Sequence, residues 1–177
     1  MGLSLRPAVA TDLPRLMALD HSVSSEYVWQ VDVRRENGQV SVTLREVRLP
    51  RPIVVPYPRN PFALADEWTR KAAMLVMADS EPFGYVCVAD LNAGNTAWVT
   101  DLVVAPEKRR RGFGLLLLNE AQEWARQRRF MMFVFEVQAK NHPAIRMAQK
   151  GGLEFGGYND RYYANQDVTL FFGCTLR

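Results

Sequence analysis

Cysteine and histidine are scarce in this chain, with two of each in 177 residues. Cys87 and Cys174 sit in apolar, strand-like runs, where buried free thiols are expected rather than a disulfide or a redox pair. Together with His21 and His142 they show no metal-ligand spacing, so no metal is expected. No apolar run reaches the roughly 18 residues of a membrane span. The start, Met1-Gly2-Leu3-Ser4-Leu5-Arg6, has no signal-type apolar core, and Arg6 stands where N-myristoylation wants Ser or Thr. A cytoplasmic protein away from membranes is the expectation. Repeats, low-complexity tracts and interdomain linkers are missing too. With 48% hydrophobic residues, that predicts a single domain over residues 1–177 with its own core.

Charge of either sign is nearly balanced, at a net +3. The basic clusters (Arg34-Arg35, Lys108 to Arg111, and Arg126, Arg128 and Arg129) form no continuous face interleaved with aromatics. Nucleic-acid binding is therefore not expected. No Gly-x4-Gly-Lys-Ser/Thr string occurs, which excludes a P-loop, and the central glycines are too few for a dinucleotide fingerprint.

One stretch nevertheless has the makings of a phosphate site. The apolar extended segment Trp98 to Val104 is closed by Ala105-Pro106. Lys108-Arg109-Arg110-Arg111-Gly112-Phe113-Gly114 follows, and then a helix-forming segment, Leu115 to Arg128. A strand feeding a basic glycine turn and a helix aims free N–H groups and the positive end of the helix dipole at one point. Gly112 and Gly114 permit close backbone approach, and Arg109, Arg110 and Arg111 offer forked, charge-assisted hydrogen bonds.

Around this turn the pattern is mixed α/β. Leu3 to Arg6 alternates as a first strand, and Thr11 offers an N-cap to a helix carrying Leu13, Leu16, Met17 and Leu19. Val31 and Val33, the turn Glu36-Asn37-Gly38-Gln39, and Val40, Val42 and Leu44 predict an early hairpin. Five prolines between residues 50 and 61 argue against helix and central strand. That loop either lines a substrate entrance or merely connects. Phe62 to Arg70 predicts a short helix; Ala73–Ala78 and Gly84–Leu91 predict paired strands, with a turn at Asn92–Asn95 into the strand at 96–104. Leu117, Leu118, Ala121, Trp124 and Ala125 form a helical stripe, and Phe130 to Val137 is a strand covered on both faces. Asn141-His142-Pro143-Ala144-Ile145 opens another helix, which Gly151-Gly152 ends.

Arg109-x-x-Gly112-x-Gly114, with its Val104-x-Pro106 lead-in and the Asn141-x-x-Ala144-hydrophobic step, resembles the acetyl-CoA loop and following helix of the GNAT superfamily of N-acyltransferases. Phe135-Glu136-Val137-Gln138, Ala144, Tyr163-Ala164-Asn165 and the early hairpin are loosely similar to the streptothricin acetyltransferase branch. The resemblance implies a mixed central sheet, flanked by helices, whose fourth and fifth strands splay apart. It implies acetyl-CoA as cosubstrate, with pantetheine on the edge Leu102, Val103 and Val104 and the pyrophosphate at Arg109 to Gly114. Asn141 completes the implied cofactor set.

The implied chemistry is attack of a neutral amine on the thioester, with a base for the ammonium proton and an acid for the departing thiolate. The family's usual tyrosine acid falls on Ala148 here, so Tyr158, Tyr162 and Tyr163 are candidates and Tyr163 matches best. Glu136 is the base candidate; a carboxylate inside Phe133 to Val137 is costly if buried, and the alternative is a surface side chain at a frayed strand end. The acceptor is expected to be a small-molecule primary amine acetylated in a ternary complex. A non-catalytic acyl-CoA sensor and a peptide N-terminal acetyltransferase are the alternatives, and a homodimer is left open.

Overall fold

The computed structural model describes residues 2–91 and 94–176; half of the Asn92–Asn95 turn therefore lies outside the described residues. Strand β1 (Ser4–Pro7) leads through a 3-10 turn into the short helix α1 (Leu13–Met17). Asp12, not Thr11, closes that turn. Its carboxylate accepts from the Val9 N–H at 2.9 Å and is clamped by Arg6 at 2.7 and 2.8 Å.

The hairpin pairs β2 (Val23–Glu36) with β3 (Gln39–Val55) as a separate two-stranded sheet. Asn37 and Gly38 have φ of 48° and 78°, as a primed two-residue turn requires. β3 runs further than the prolines suggested. Ser25 pairs with Ile53 but Tyr27 with Arg48, so Pro50 and Pro52 lie in the extra loop of a bulge, where no ladder N–H is needed. A helical segment around α2 (Leu64–Glu67) follows.

The main sheet contains β1, β4 (Ala73–Ala78), β5 (Pro82–Leu91), β6 (Thr96–Val104), β7 (Met132–Gln138), β8 (Glu154–Asn159) and β9 (Thr169–Thr175). Its order is β1-β4-β5-β6-β7-β9-β8, and β6–β7 is the parallel pair. Helix α3 (Phe113–Gln127) crosses between those two strands, and α4 (His142–Lys150) follows β7. The expected α3 stripe is buried at Leu117, Leu118, Ala121 and Ala125, while Trp124 is half-buried and stacks on Phe130. Gln122 joins the stripe because its amide donates to the Gly151 carbonyl at 3.2 Å.

The feature that positions the site is the parting of β6 and β7. They pair from Thr96–Met132 to Val99–Phe135 and no further. On its other side β6 continues against β5, with a bulge: Val88 faces Val99, Cys87 faces Asp101, and Thr100 is the extra residue. The Leu102–Val104 edge that faces β7 therefore has no strand partner. Among the described residues, no helix is long and apolar enough to cross a membrane, and no group of three or more His, Cys, Asp or Glu could hold a metal. Cys87 is buried and Cys174 half-buried; both are free thiols, and burial pushes their pKa values up.

Candidate active site

On the cosubstrate side, a 3-10 turn (Pro106–Lys108) carries the chain from β6 into the glycine turn. Arg110 has a φ of 62°, and Gly112, at 85°, is the N-cap of α3. No side chain caps this helix, and its first intrahelical bond runs from Leu116 N–H to the Gly112 carbonyl at 3.0 Å. The N–H groups of Phe113, Gly114 and Leu115 thus have no intrahelical acceptor, which is the donor set an anionic oxygen requires.

The basic residues divide the work. Arg109 donates from Nε to the Val104 carbonyl and from Nη1 and Nη2 to those of Ser22 and Asp20, each at 2.7 Å. Its guanidinium is a staple between the end of β6 and the segment after α1. Arg110 and Arg111 are exposed, beside the free N–H groups of α3. A Cβ at Gly114 would lie 2.8 Å from Met147 Sδ, so this glycine lets α3 pack against α4. Phe113 packs edge-on against Phe83, and the Asn141 carboxamide accepts from Ala144 N–H at 3.2 Å, capping α4. Val103 and Val104 are buried and Leu102 is half-buried.

Across the gap lies a cavity of about 540 Å³, lined among others by Tyr57, Arg59, Lys71, Asp101, Tyr162 and Tyr163. Glu136 lies behind this lining, bonded to Arg59 and Tyr162, and its side chain is fully buried, not frayed at the strand end. Its Oε1 accepts from Arg59, and its Oε2 accepts from Trp98 Nε1 at 2.6 Å and from the Tyr162 hydroxyl at 2.9 Å. Asp101, on the bulge of β6, is a second buried carboxylate. It accepts from the Tyr57 hydroxyl and from Thr100 Oγ1 at 2.7 Å; Arg59 and Lys71 stand 3.6 and 3.9 Å away.

The tyrosines differ in access. Tyr163 is buried; its ring stands edge-on to Tyr162, and the Arg59 guanidinium sits 5.1 Å from its centroid. Burial, and next the Glu136 carboxylate, hold its phenol pKa well above the ordinary value. Tyr162 is 41% exposed, and burial with the neighbouring Glu136 pushes it up to about 12. Tyr158 lies half-buried on β8. Ala148 is fully buried in the core.

Participants in this arrangement that were not nominated from the sequence include Arg59, Asp101, Tyr57, Lys71, Trp98 and His21. Asp101 carried the same signal as Glu136, a carboxylate inside an apolar strand. His21 is buried, with Nδ1 2.8 Å from the Leu19 carbonyl and Nε2 3.0 Å from the Tyr85 hydroxyl. The carbonyl can only accept, so Nδ1 carries the proton and neutral Nε2 accepts from Tyr85. Burial lowers the His21 pKa. A folded pKa below the unfolded value of about 6.5 means stability is full above that value and is lost as pH falls through the folded pKa. The melting temperature should therefore drop between about pH 7 and pH 5, and the drop should shrink in His21→Gln. Calorimetric melting across that range checks this; an equal drop in both proteins would contradict it.

Comparison with known proteins agrees with this geometry. Residues 42–153 match the model of the acetyltransferase (GNAT) family. A streptothricin acetyltransferase of Streptomyces lavendulae is 27% identical over 164 residues, covering 89% of this chain and 85% of that protein. The crystal structure of a nourseothricin acetyltransferase superposes with a TM-score of 0.83 at 26% identity, over 100% of both chains. A structure from Bacillus anthracis str. Ames, solved in complex with acetyl coenzyme A, gives a TM-score of 0.75 at 18% identity, over 98% of this chain and 99% of that one. With the free strand edge, the uncapped helix N-terminus and more than half of the chain matched, the protein belongs to the GNAT acetyltransferase family and is an N-acetyltransferase that uses acetyl-CoA.

Proposed function

We propose that the protein acetylates a primary amine of a small molecule, the amine attacking directly within a ternary complex. The observation that carries this reading is the convergence at the β6–β7 gap. A free strand edge and an open helix N-terminus meet there from one side, and a cavity lined by Asp101, Arg59 and Tyr162, with Glu136 bonded to the last two from behind, meets them from the other. Acetyl-CoA, when bound, supplies an activated acyl group and a thiolate leaving group. The Leu102–Val104 edge offers backbone groups to an extended pantetheine arm, and Arg110, Arg111 and the N–H groups of Phe113 and Gly114 hold the pyrophosphate.

On the acceptor side Glu136 binds the ammonium and takes its proton. The acid's role passes from Tyr163 to Tyr162, because Tyr162 opens to the cavity and is already hydrogen-bonded to Glu136. Tyr163 forms the aromatic wall beside it. A cavity of about 540 Å³ is of the size that holds small ligands rather than a folded protein's terminus. The names of the related enzymes, streptothricin and nourseothricin acetyltransferases, point the same way.

Release of CoA thiol from acetyl-CoA across a panel of amines tests the proposal. Small primary amines, streptothricin among them, should be turned over and N-terminal peptides should not. Turnover confined to peptides would overturn it.

A further inference from the structure

Between the two buried carboxylates lies a single seat for a cation, and the protein fills that seat itself. The Arg59 guanidinium donates to Glu136 and to the Thr100 carbonyl at 2.9 Å, stands 3.6 Å from Asp101, and sits over the ring of Tyr163. Two carboxylates, one carbonyl and an aromatic face are what a protonated amine also seeks. Thr100 is the bulge residue where β6 and β7 begin to part, so the seat adjoins the free edge Leu102–Val104.

Arg59 reaches this seat from outside the sheet. It belongs to the proline-bracketed segment after β3, which has no strand partner, and 30% of its side chain is exposed in the cavity. Its neighbours hold the segment at its ends: the Pro56 carbonyl accepts from Gln138 at 3.2 Å, and the Asn60 side chain accepts from Phe62 N–H at 3.0 Å. The backbone is thus tied to β7 at Pro56 and capped at Asn60, and the side chain that fills the seat is a long one rich in rotamers. A guanidinium and an incoming ammonium cannot share the seat, since like charges a few ångströms apart repel in a poorly screened site.

Building on the acceptor-amine reading, we infer that Arg59 is an internal stand-in for the substrate's ammonium, which the acceptor must displace to reach Glu136. Selectivity follows from what can replace it. A primary alkylammonium brings three N–H donors, enough for Glu136, Asp101 and the Thr100 carbonyl together. Arg59 thereby sets a threshold: cations that cannot match its hydrogen bonds leave it in place.

The test is calorimetric titration of n-butylamine, in its ammonium form, into wild type and Arg59→Ala, both saturated with CoA. A seat that is vacant in only about 0.1–10% of molecules weakens apparent affinity by about tenfold to a thousandfold. Removing Arg59 should lift that penalty, so butylammonium should bind Arg59→Ala at least about tenfold more tightly. Guanidinium chloride at millimolar concentration should compete with it in the variant and not in wild type. Equal or weaker butylammonium binding by the folded variant would overturn the inference. So would added guanidinium restoring acetyl transfer to Arg59→Ala, because the charge would then be a required part of the machinery. If Arg59→Ala does not fold, Arg59→Gln keeps a polar side chain without the charge; it should bind butylammonium more tightly than wild type, and no change would count against the proposal. Binding is measured without turnover. A wild type that releases no thiol with any amine would sink the acetyl-transfer reading and still leave the displacement result legible.

Discussion

Gly112→Asp should fold normally and fail to bind acetyl-CoA. The position has a φ of 85°, which Asp tolerates better than most residues, and a Cβ placed there meets nothing within 4 Å. The new carboxylate would lie beside the uncapped N–H groups of α3 and can accept from them as an N-cap does. The left-handed backbone should cost about 1 kcal/mol of stability, too little to unfold the protein, while the free N–H donors are engaged and a like charge is set against an incoming pyrophosphate. A few kcal/mol of like-charge repulsion corresponds to a loss of about a hundredfold or more in affinity. Gly112→Asn, with similar backbone tolerance and capping ability but no charge, should lose much less. Calorimetric titration with acetyl-CoA decides the matter; an unchanged affinity in folded Gly112→Asp would remove the phosphate assignment of this turn.

The second large effect belongs to Glu136. Glu136→Gln keeps the size of the side chain and its acceptance from Trp98 and Tyr162, but removes the base and the charge opposite Arg59. At neutral pH the acetylation rate should fall by about a hundredfold or more, while acetyl-CoA affinity stays near that of wild type. The deficit should narrow at high pH, where the amine is already neutral and needs no base. Melting should also move down, because Arg59 is left partly buried without its carboxylate. The informative readout is the pH–rate profile. A variant with the wild-type rate at neutral pH would reduce Glu136 to an anchor for Arg59.

How much of this was legible before the structure depended on distance along the chain. The hairpin turn was plain, because Asn37-Gly38 fixes its own dihedrals. The β6–turn–α3 unit was plain for the same reason: strand, basic glycine turn and helix are consecutive. The prolines were harder. Pro50 and Pro52 obey a rule about ladder hydrogen bonds that a bulge in a two-stranded sheet satisfies, and only the register Tyr27–Arg48 and Ser25–Ile53 reveals that bulge. Arg109 looked like a phosphate ligand because its local motif says so. Its guanidinium is claimed by carbonyls at Ser22 and Asp20, 87 and 89 residues away. Arg59 and Glu136 are 77 residues apart, and nothing near either one names the other. The buried carboxylate Glu136 could be suspected from a charge in an apolar run; its partner could not.

The placement of the hairpin has a consequence for how such a protein can change. The pairing of Pro7 with Leu75 closes a long connection, and β2 and β3, from Val23 to Val55, make up roughly half of it. Because the entropy of closure grows only with the logarithm of length, inserting that half adds about 0.6 kcal/mol. Its register is set by its own turn and bulge. The outer part of the hairpin, around Asn37-Gly38, can therefore be lengthened or shortened with little effect on the sheet that parts at Thr100, whereas Trp29, whose N–H donates to the Ala139 carbonyl at 2.8 Å, and Arg59 are tied to that sheet. Two parts of the chain share one gap: a sheet that opens after Val99, and a hairpin whose outer turn is free to vary.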